Sequence, residues 1–190
     1  MSDVAIVIDI SSTLSFGEFD TQISAIEEIV SLTPVGTDGT HFSYTTFADT
    51  YNTVFDFGEY NSSDAMISTI NTNTRRRNTF VDVINVIEHV KAEGFLTNSK
   101  LRGSARKILI FVSSSDFDYV QLVQSEMDTL KNNNVTIITI GVGLTANITT
   151  LRNIATDPAL MYILGEELYI APSVVKSILS TIVYEFCSHI

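Results

Sequence analysis

The amino-acid sequence predicts an α/β domain with a doubly wound, mostly parallel central sheet and helices on both of its faces. Three apolar runs rich in β-branched residues occur at positions 4–8, 107–112 and 135–142. Such runs are typical of parallel strands that helices cover on both sides. Stretches with apolar residues three and four positions apart lie between them, as in the helices of β-α-β units. We expect about six strands, one of them an antiparallel edge strand.

The first half of the chain alternates strand and helix patterns. Its predicted elements are a strand at residues 4–9, a helix at 18–32, a hairpin of strands at 41–47 and 53–57, a short helix at 61–71 and a helix from 79 to 94. The hairpin strands alternate polar and apolar residues, which favours a sheet edge with one wetter face. Either Ser62 or Ser63 is expected to cap the short helix. Thr79 stands at the N-terminus of the following helix, and Gly94 ends it.

The second half continues the same alternation. Its predicted elements are a strand at residues 107–112, a helix around 120–130, a strand at 135–142, a short helix at 149–155, a strand at 161–164 and a closing helix at 173–186. The closing helix carries a broad apolar stripe that must pack on the sheet. Because no internal repeat or linker interrupts this order, we expect one domain over residues 1–190. The first strand begins directly after Met1-Ser2-Asp3, which suggests a domain taken from a longer protein.

Composition narrows the class of partner. The 190 residues include 11 basic and 22 acidic side chains, for a formal net charge of -11. Nucleic-acid binding requires basic groups that neutralise phosphates, so this charge argues against such a partner. No stretch approaches the ~20 apolar residues of a membrane helix, so insertion of this domain into a membrane is not expected. Cations, basic surfaces and proteins remain as partners.

Cysteine and asparagine patterns bear on the compartment. Cys187 is the single cysteine and cannot form an internal disulfide. Asn-x-Ser/Thr sequons occur at Asn61, Asn134 and Asn147, which are candidate glycosylation sites if they lie on exposed loops. These sequons predict a secreted glycoprotein.

Oxygen-bearing side chains follow the predicted central strands. Asp9, Ser11 and Thr13 end the first strand at alternate positions, and alternate residues of an extended segment point the same way. The turn that carries Thr79 and the loop at 113–116 should converge on the same edge of the sheet, where open α/β folds build their sites. Because these loops offer oxygen ligands only, they select hard cations such as Mg²⁺, Mn²⁺ or Ca²⁺.

The histidines offer no competing site. His41, His89 and His189 lie far apart in sequence, with no metal-binding spacing and no serine or cysteine in a nucleophile motif. Each is interpreted as an ordinary surface or edge residue.

The chain resembles a von Willebrand factor type A (vWA) domain, the fold shared with integrin inserted domains. The resemblance covers essentially all of the sequence, from the Asp-x-Ser-x-Thr that ends the first strand to the closing helix. In that family a metal-ion-dependent adhesion site (MIDAS) is built from Asp-x-Ser-x-Ser, a Thr from a second loop and an Asp from a third. The resemblance assigns these roles in order to Asp9, Ser11, Thr13, Thr79 and Ser114.

Two positions depart from the family pattern. Ser114 stands where the family has its last carboxylate, so a bound divalent ion would be less fully compensated and held more weakly. Asp116 either supplies the missing carboxylate or caps the helix that follows. The family's double glycine before the threonine is absent, and Arg75, Arg76 and Arg77 precede Thr79 instead.

The resemblance implies a non-enzymatic extracellular module that mediates adhesion or protein binding, including contact with the extracellular matrix. Its cofactor would be Mg²⁺, Mn²⁺ or Ca²⁺. The ion would keep an open coordination position, which an acidic side chain of a protein partner would complete. Arg75, Arg76 and Arg77 are candidates for direct contact with that partner. One alternative is an intracellular scaffold of the same fold with a vestigial metal site. A phosphatase of the haloacid dehalogenase type also begins with a strand that ends in Asp, but Ser11 replaces its second Asp.

Overall fold

The structure is a computed structural model that describes residues 1–76, 81–165 and 172–183. The strands are β1 (Ser2–Asp9), β2 (Thr40–Phe47), β3 (Tyr51–Phe55), β4 (Arg106–Ser113), β5 (Val135–Val142) and β6 (Met161–Leu164). They form one sheet in the order β3-β2-β1-β4-β5-β6. β3 runs antiparallel to β2, and the other neighbouring pairs are parallel. The predicted sheet with one antiparallel edge strand is confirmed.

Helices cover both faces of this sheet. They are α1 (Phe16–Leu32), α2 (Ser63–Ile70), α3 (Val83–His89), α4 (Val120–Asn132), α5 (Ile148–Ile154) and α6 (Pro172–Ile182). Helices α1, α2 and α6 pack in one buried apolar cluster, and α3, α4 and α5 pack in a second on the opposite face. The doubly wound arrangement predicted from the alternating patterns is therefore confirmed. Within the described ranges, no helix combines the length and apolarity needed to cross a bilayer.

Strand β1 lies in the middle of the sheet and contributes to both apolar clusters. Val4, Ile6 and Ile8 belong to one cluster, and Ala5 and Val7 to the other. Burial of each large aliphatic side chain stabilises the fold by about 2 kcal/mol. This two-sided burial explains the uninterrupted apolar run, and it places the residues that follow β1 at the carboxyl edge of the sheet.

The helix that follows the undescribed residues 77–80 differs from its predicted form. α3 begins at Val83 and is capped by Asp82, whose side chain accepts a hydrogen bond from the amide of Asn85 (3.2 Å). Gly94 does not end the helix, because a π-helical segment, Val90–Leu96, continues directly from α3. Thr79, predicted at the N-terminus, lies outside the described residues.

A buried ion pair ties together the amino end of the sheet. Asp3 in β1 is 0% exposed, and its Oδ1 lies 2.6 Å from Nη2 of Arg102 in the loop before β4. The amide of Arg102 also donates to Asp3 Oδ2 (2.7 Å). The same guanidinium donates to the carbonyls of Ser2, Thr37 and Gly39. One side chain thus links the start of β1 with the segment that enters β2.

Candidate functional site

The candidate site is centred on Asp9, the last residue of β1. Its side chain is 0% exposed, and its Oδ1 accepts a hydrogen bond from the amide of Ser11 (2.8 Å). Its Oδ2 accepts from the hydroxyls of Ser114 and Ser115, each at 3.0 Å. The loop after β4 therefore meets the loop after β1 at this carboxylate, as expected from parallel neighbouring strands.

Three serines and a threonine form a hydroxyl cluster beside Asp9. Thr13 Oγ1 lies 2.6 Å from Ser11 Oγ, 3.1 Å from Ser114 Oγ and 3.0 Å from Ser115 Oγ. Ser11 and Thr13 thus point to the same place, as their alternate spacing predicts. We refer to Asp9, Ser11, Thr13, Ser114 and Ser115 as the Asp9 cluster.

Electrostatics of the Asp9 cluster favour a cation. The three groups that donate to the Asp9 carboxylate are neutral, and no ion pair to Asp9 is found among the described residues. A buried carboxylate is costly without an opposite charge. The side-chain atoms of the cluster that could coordinate a metal are all hard oxygens, which suit Mg²⁺, Mn²⁺ or Ca²⁺.

The cluster contains a single carboxylate. No group of three or more His, Cys, Asp or Glu side chains able to hold a metal occurs in the described part of the chain. The residues therefore fit a hard cation with one negative charge and several hydroxyl ligands. Thr79, which the family pattern adds to this set, falls within the undescribed residues 77–80 and stays a prediction.

Ser115 was not among the predicted site residues. The family pattern places only Ser114 at the position of the family carboxylate. In an extended strand, neighbouring residues point to opposite sides, so Ser115 would be expected to face away. Beyond the end of β4 the chain turns, however, and both hydroxyls reach Asp9 Oδ2. The run of three serines after the strand was the signal available in the sequence.

Asp116 lies outside the Asp9 cluster. It is exposed, and its Oδ1 accepts hydrogen bonds from the amide of Phe117 (2.9 Å) and from Nδ2 of Asn147 (2.5 Å). The N-cap of α4 is Tyr119, which makes no side-chain capping bond. Asp116 thus joins the loop after β4 to the start of α5, and within the described residues it makes no hydrogen bond to Asp9.

Arg75 supports the loop that carries Ser11 and Thr13. Its Nη2 donates to the carbonyl of Ser12 (2.7 Å), and its Nε donates to the carbonyl of Leu14. Its guanidinium carbon lies 5.0 Å from the centre of the Phe16 ring, within the range of a cation–π contact. Arg75 is half-buried by these contacts, which hold the loop in place.

Arg76 contacts the same region through its backbone. Its amide donates to the carbonyl of Ile10 (2.7 Å), and its Nη1 lies 3.1 Å from Asp49 Oδ1. Both side chains of this ion pair are more than a third exposed, so the pair contributes little to stability. Arg77, the third predicted partner-binding arginine, lies outside the described residues.

The three predicted glycosylation sites differ in accessibility. Asn61 and Asn134 are exposed. Asn147 instead caps α5, with its Oδ1 accepting from the amide of Thr150 (2.9 Å) while its Nδ2 donates to Asp116. A glycan on Asn147 would be attached to a nitrogen that the fold already uses.

The chain belongs to the von Willebrand factor type A domain family, whose model matches residues 3–174. Domains of this family are generally non-enzymatic modules of adhesion and protein interaction. No curated protein sequence matches the chain.

Solved structures share the fold. Proximal thread matrix protein 1 from the mussel byssus, described with a zinc-occupied MIDAS motif, is 22% identical with a TM-score of 0.82. That alignment covers 95% of this chain but only 45% of the mussel chain, so this chain spans less than half of it. Manganese-loaded TRAP of Plasmodium vivax is 15% identical, with a TM-score of 0.78 over 94% of this chain and 73% of its own.

A third similar structure is a bacterial domain of nearly equal extent. The vWF domain of the type V pili tip protein Mfa5 from Porphyromonas gingivalis is 13% identical, with a TM-score of 0.74. The alignment covers 96% of this chain and 95% of that one. At these sequence identities, the three similar structures show that the fold is shared and nothing further.

Proposed function

We propose that this domain is a non-enzymatic adhesion module that binds a protein partner at the carboxyl edge of its sheet through a divalent cation. The observation that carries the proposal is the Asp9 carboxylate, which is fully buried and surrounded by hydroxyls from two loops, with no cationic partner among the described residues. Asp9, Ser11, Thr13 and Ser114 would hold the ion, with Thr79 as the ligand that the family pattern adds.

The bound cation would supply an electrophilic coordination position for an acidic side chain of the partner. The protein's own residues keep that position favourable, because hydroxyl ligands leave more of the ion's charge uncompensated than carboxylates do. The same deficit weakens retention of the ion, so we expect Mg²⁺ or Mn²⁺ binding in the micromolar to millimolar range rather than tighter.

The first experiment is a titration of the metal-stripped domain with Mg²⁺ and with Mn²⁺, followed by calorimetry and thermal unfolding. We expect saturable binding and a melting temperature that rises with ion concentration, since a ligand that binds only the folded state stabilises it. Ser11→Ala and Thr79→Ala should abolish both effects. Ser31→Ala, which removes an exposed hydroxyl on α1, serves as the matched control. A flat titration at millimolar ion would contradict the metal-bridged function.

We further propose that the domain works outside the cell as a secreted glycoprotein. The sequons and the extracellular settings named for the mussel and bacterial structures support this location. Natively expressed protein should lose mass on enzymatic deglycosylation, with glycans at Asn61 and Asn134. If both positions are unmodified, the alternative of an intracellular scaffold is favoured.

A further inference from the structure

A cavity lies on the face of the sheet that packs against α3. It has a volume of about 380 Å³ and is bounded by β2, β3 and the π-helical segment Val90–Leu96. None of the residues of the Asp9 cluster lines it. Cavities of this size are within the range that holds small ligands.

The cavity exists because small side chains face each other across the gap between sheet and helix. On the sheet side these are Ala5, Ser43 and Thr45, and on the helix side Gly94 lies among the lining residues. Elsewhere on this face, larger residues such as Phe47 and Leu109 fill the space against the helices. The chain therefore leaves open a volume that a few larger side chains would close.

A hydroxyl without a hydrogen-bond partner among the described residues lines this space. Ser43 lines the cavity and is only 6% exposed, and its side chain makes no hydrogen bond to any other described residue. A second polar atom, Nδ1 of His89, is likewise buried without a hydrogen-bond partner in the described structure. Polar groups in native proteins are normally satisfied, so the Ser43 hydroxyl points to a ligand or solvent in the cavity.

The His89 ring is held in a fixed orientation at the cavity wall. It stacks on Tyr51 with ring centres 4.1 Å apart, and its Nε2 lies 2.9 Å from Thr53 Oγ1. Its Nδ1 is 3.5 Å from Glu93 Oε2, on the next turn of the helix. Aromatic, hydroxyl and carboxylate groups thus converge on one side.

The charge of the lining decides which ligand it suits. Among the described residues that line the cavity, two carry carboxylates, Asp56 and Glu93, and none is a lysine or arginine. Burial raises the pKa of Asp56, but hydrogen bonds from Phe57 and Asn98 and the charge of Lys100 outweigh it and hold this pKa below its ordinary value of 3.8. Asp56 is therefore ionised at neutral pH, but its Oδ2 is already paired with Nζ of Lys100 at 3.1 Å. Glu93 therefore carries the negative charge of the lining that is available to a ligand.

We infer that this cavity binds an organic cation, specifically a guanidinium or primary ammonium group. Glu93 supplies the negative charge, the Ser43 hydroxyl supplies an acceptor, and the Tyr51 ring adds an aromatic surface that attracts cations. The group could belong to a free small amine or to an arginine side chain of a partner protein, because both present the same chemistry.

Agmatine, which carries a guanidinium and an amine, is the probe for the free ligand, and N-acetyl-arginine-methylamide is the probe for a side chain. Each is titrated into the isotopically labelled domain while amide chemical shifts are followed by NMR. We expect saturable shifts at residues of β3 and the π-helical segment with at least one probe. Binding of agmatine alone identifies a free amine as the ligand, and binding of the capped arginine as well identifies a partner's side chain.

Two variants test the assignment. Glu93→Gln should weaken binding of the probe at least about fivefold, because a charge-assisted hydrogen bond is lost. Ser43→Val fills part of the cavity with a residue suited to a strand, and it should weaken binding at least about tenfold. Glu88→Gln removes an exposed carboxylate from the same helix and should leave binding unchanged.

Three outcomes would overturn the inference. The first is the absence of shifts with both probes at millimolar concentration. The second is equal binding of glutarate or methyl glucoside, which would show that the cavity does not select a cation. The third is an equal loss of affinity in Glu88→Gln and Glu93→Gln, which would indicate general charge attraction rather than a site. Because metal is omitted throughout, these results are independent of the Asp9 cluster.

Discussion

At the scale of single residues, Ser114 is the position that sets the character of the candidate metal site. Its hydroxyl satisfies Asp9 Oδ2 at 3.0 Å, where the family pattern has a second carboxylate. A hydroxyl in this place gives Asp9 Oδ2 a donor in the metal-free cluster and opposes no second negative charge to it. The same hydroxyl contributes no charge to a bound cation.

Ser114→Asp should therefore lower the stability of the metal-free form and raise the affinity for Mg²⁺. Two carboxylates about 3 Å apart repel each other without a cation, so the melting temperature in EDTA should fall. With Mg²⁺ present the added charge should tighten binding at least about tenfold, measured by calorimetry. Ser114→Asn, of similar size and no charge, is the control. Equal affinities in the Asp and Asn variants would show that this position does not face the ion.

At the scale of elements, two loops and one arginine build the carboxyl edge. The loop after β1 is stabilised by Arg75, whose contacts are with backbone carbonyls and one ring. Arginine suits this role because its planar guanidinium donates in several directions at once. Arg75 therefore shapes the site, whether or not it also touches a partner.

Arg75→Gln should weaken Mg²⁺ binding several-fold although Arg75 is not an ion ligand. The reason is that the Ser12 and Leu14 carbonyls lose their donor, so Ser11 and Thr13 are held less rigidly. Arg76→Gln should leave ion affinity nearly unchanged, because its side chain makes only exposed contacts, an ion pair with Asp49 and a hydrogen bond to Thr50. If both variants bind Mg²⁺ like the parent but lose a protein partner, direct contact by these arginines is the better explanation.

At the scale of the whole molecule, the two ends of the sheet serve different purposes. The carboxyl edge carries the Asp9 cluster, while the amino end is tied together by the Asp3–Arg102 pair. Removing one partner of a buried pair leaves an uncompensated charge, which costs far more than an exposed pair contributes.

Arg102→Met should lower the free energy of unfolding by about 3 kcal/mol or more, measured by urea denaturation. Arg152→Met, at an exposed position of α5, should change it by less than about 0.5 kcal/mol. Mg²⁺ affinity should survive in the folded fraction of both variants. Similar losses of stability in the two variants would indicate that the Asp3–Arg102 pair is not a major contribution.

The pH dependence of stability should reflect His41 at the same end. Burial, followed by the charge of Arg102, lowers the pKa of His41 from its ordinary value of 6.5. The folded state therefore binds fewer protons than the unfolded state below that pH, so stability should fall as pH drops below 6.5 towards the lowered pKa. His41→Asn should flatten this part of the curve, measured as unfolding free energy between about pH 5 and 7. An unchanged slope would assign it to other groups.

The order of the elements and most of the fold could be predicted from the amino-acid sequence. Local patterns sufficed because burial on two faces produces continuous apolar strands and burial on one face produces helical stripes. They also predicted that Asp9, Ser11 and Thr13 point to one place, since that follows from strand geometry alone. These inferences involve residues close together in the chain.

The contacts between distant segments are seen only in the folded molecule. Ser115 reaches Asp9 across 106 positions, Arg102 reaches Asp3 across 99, and Arg75 reaches Ser12 across 63. No local period encodes such pairs, because they depend on how loops turn after the strands end. The cavity beside His89 has the same origin, since it arises from small residues on separate elements that face each other only after folding.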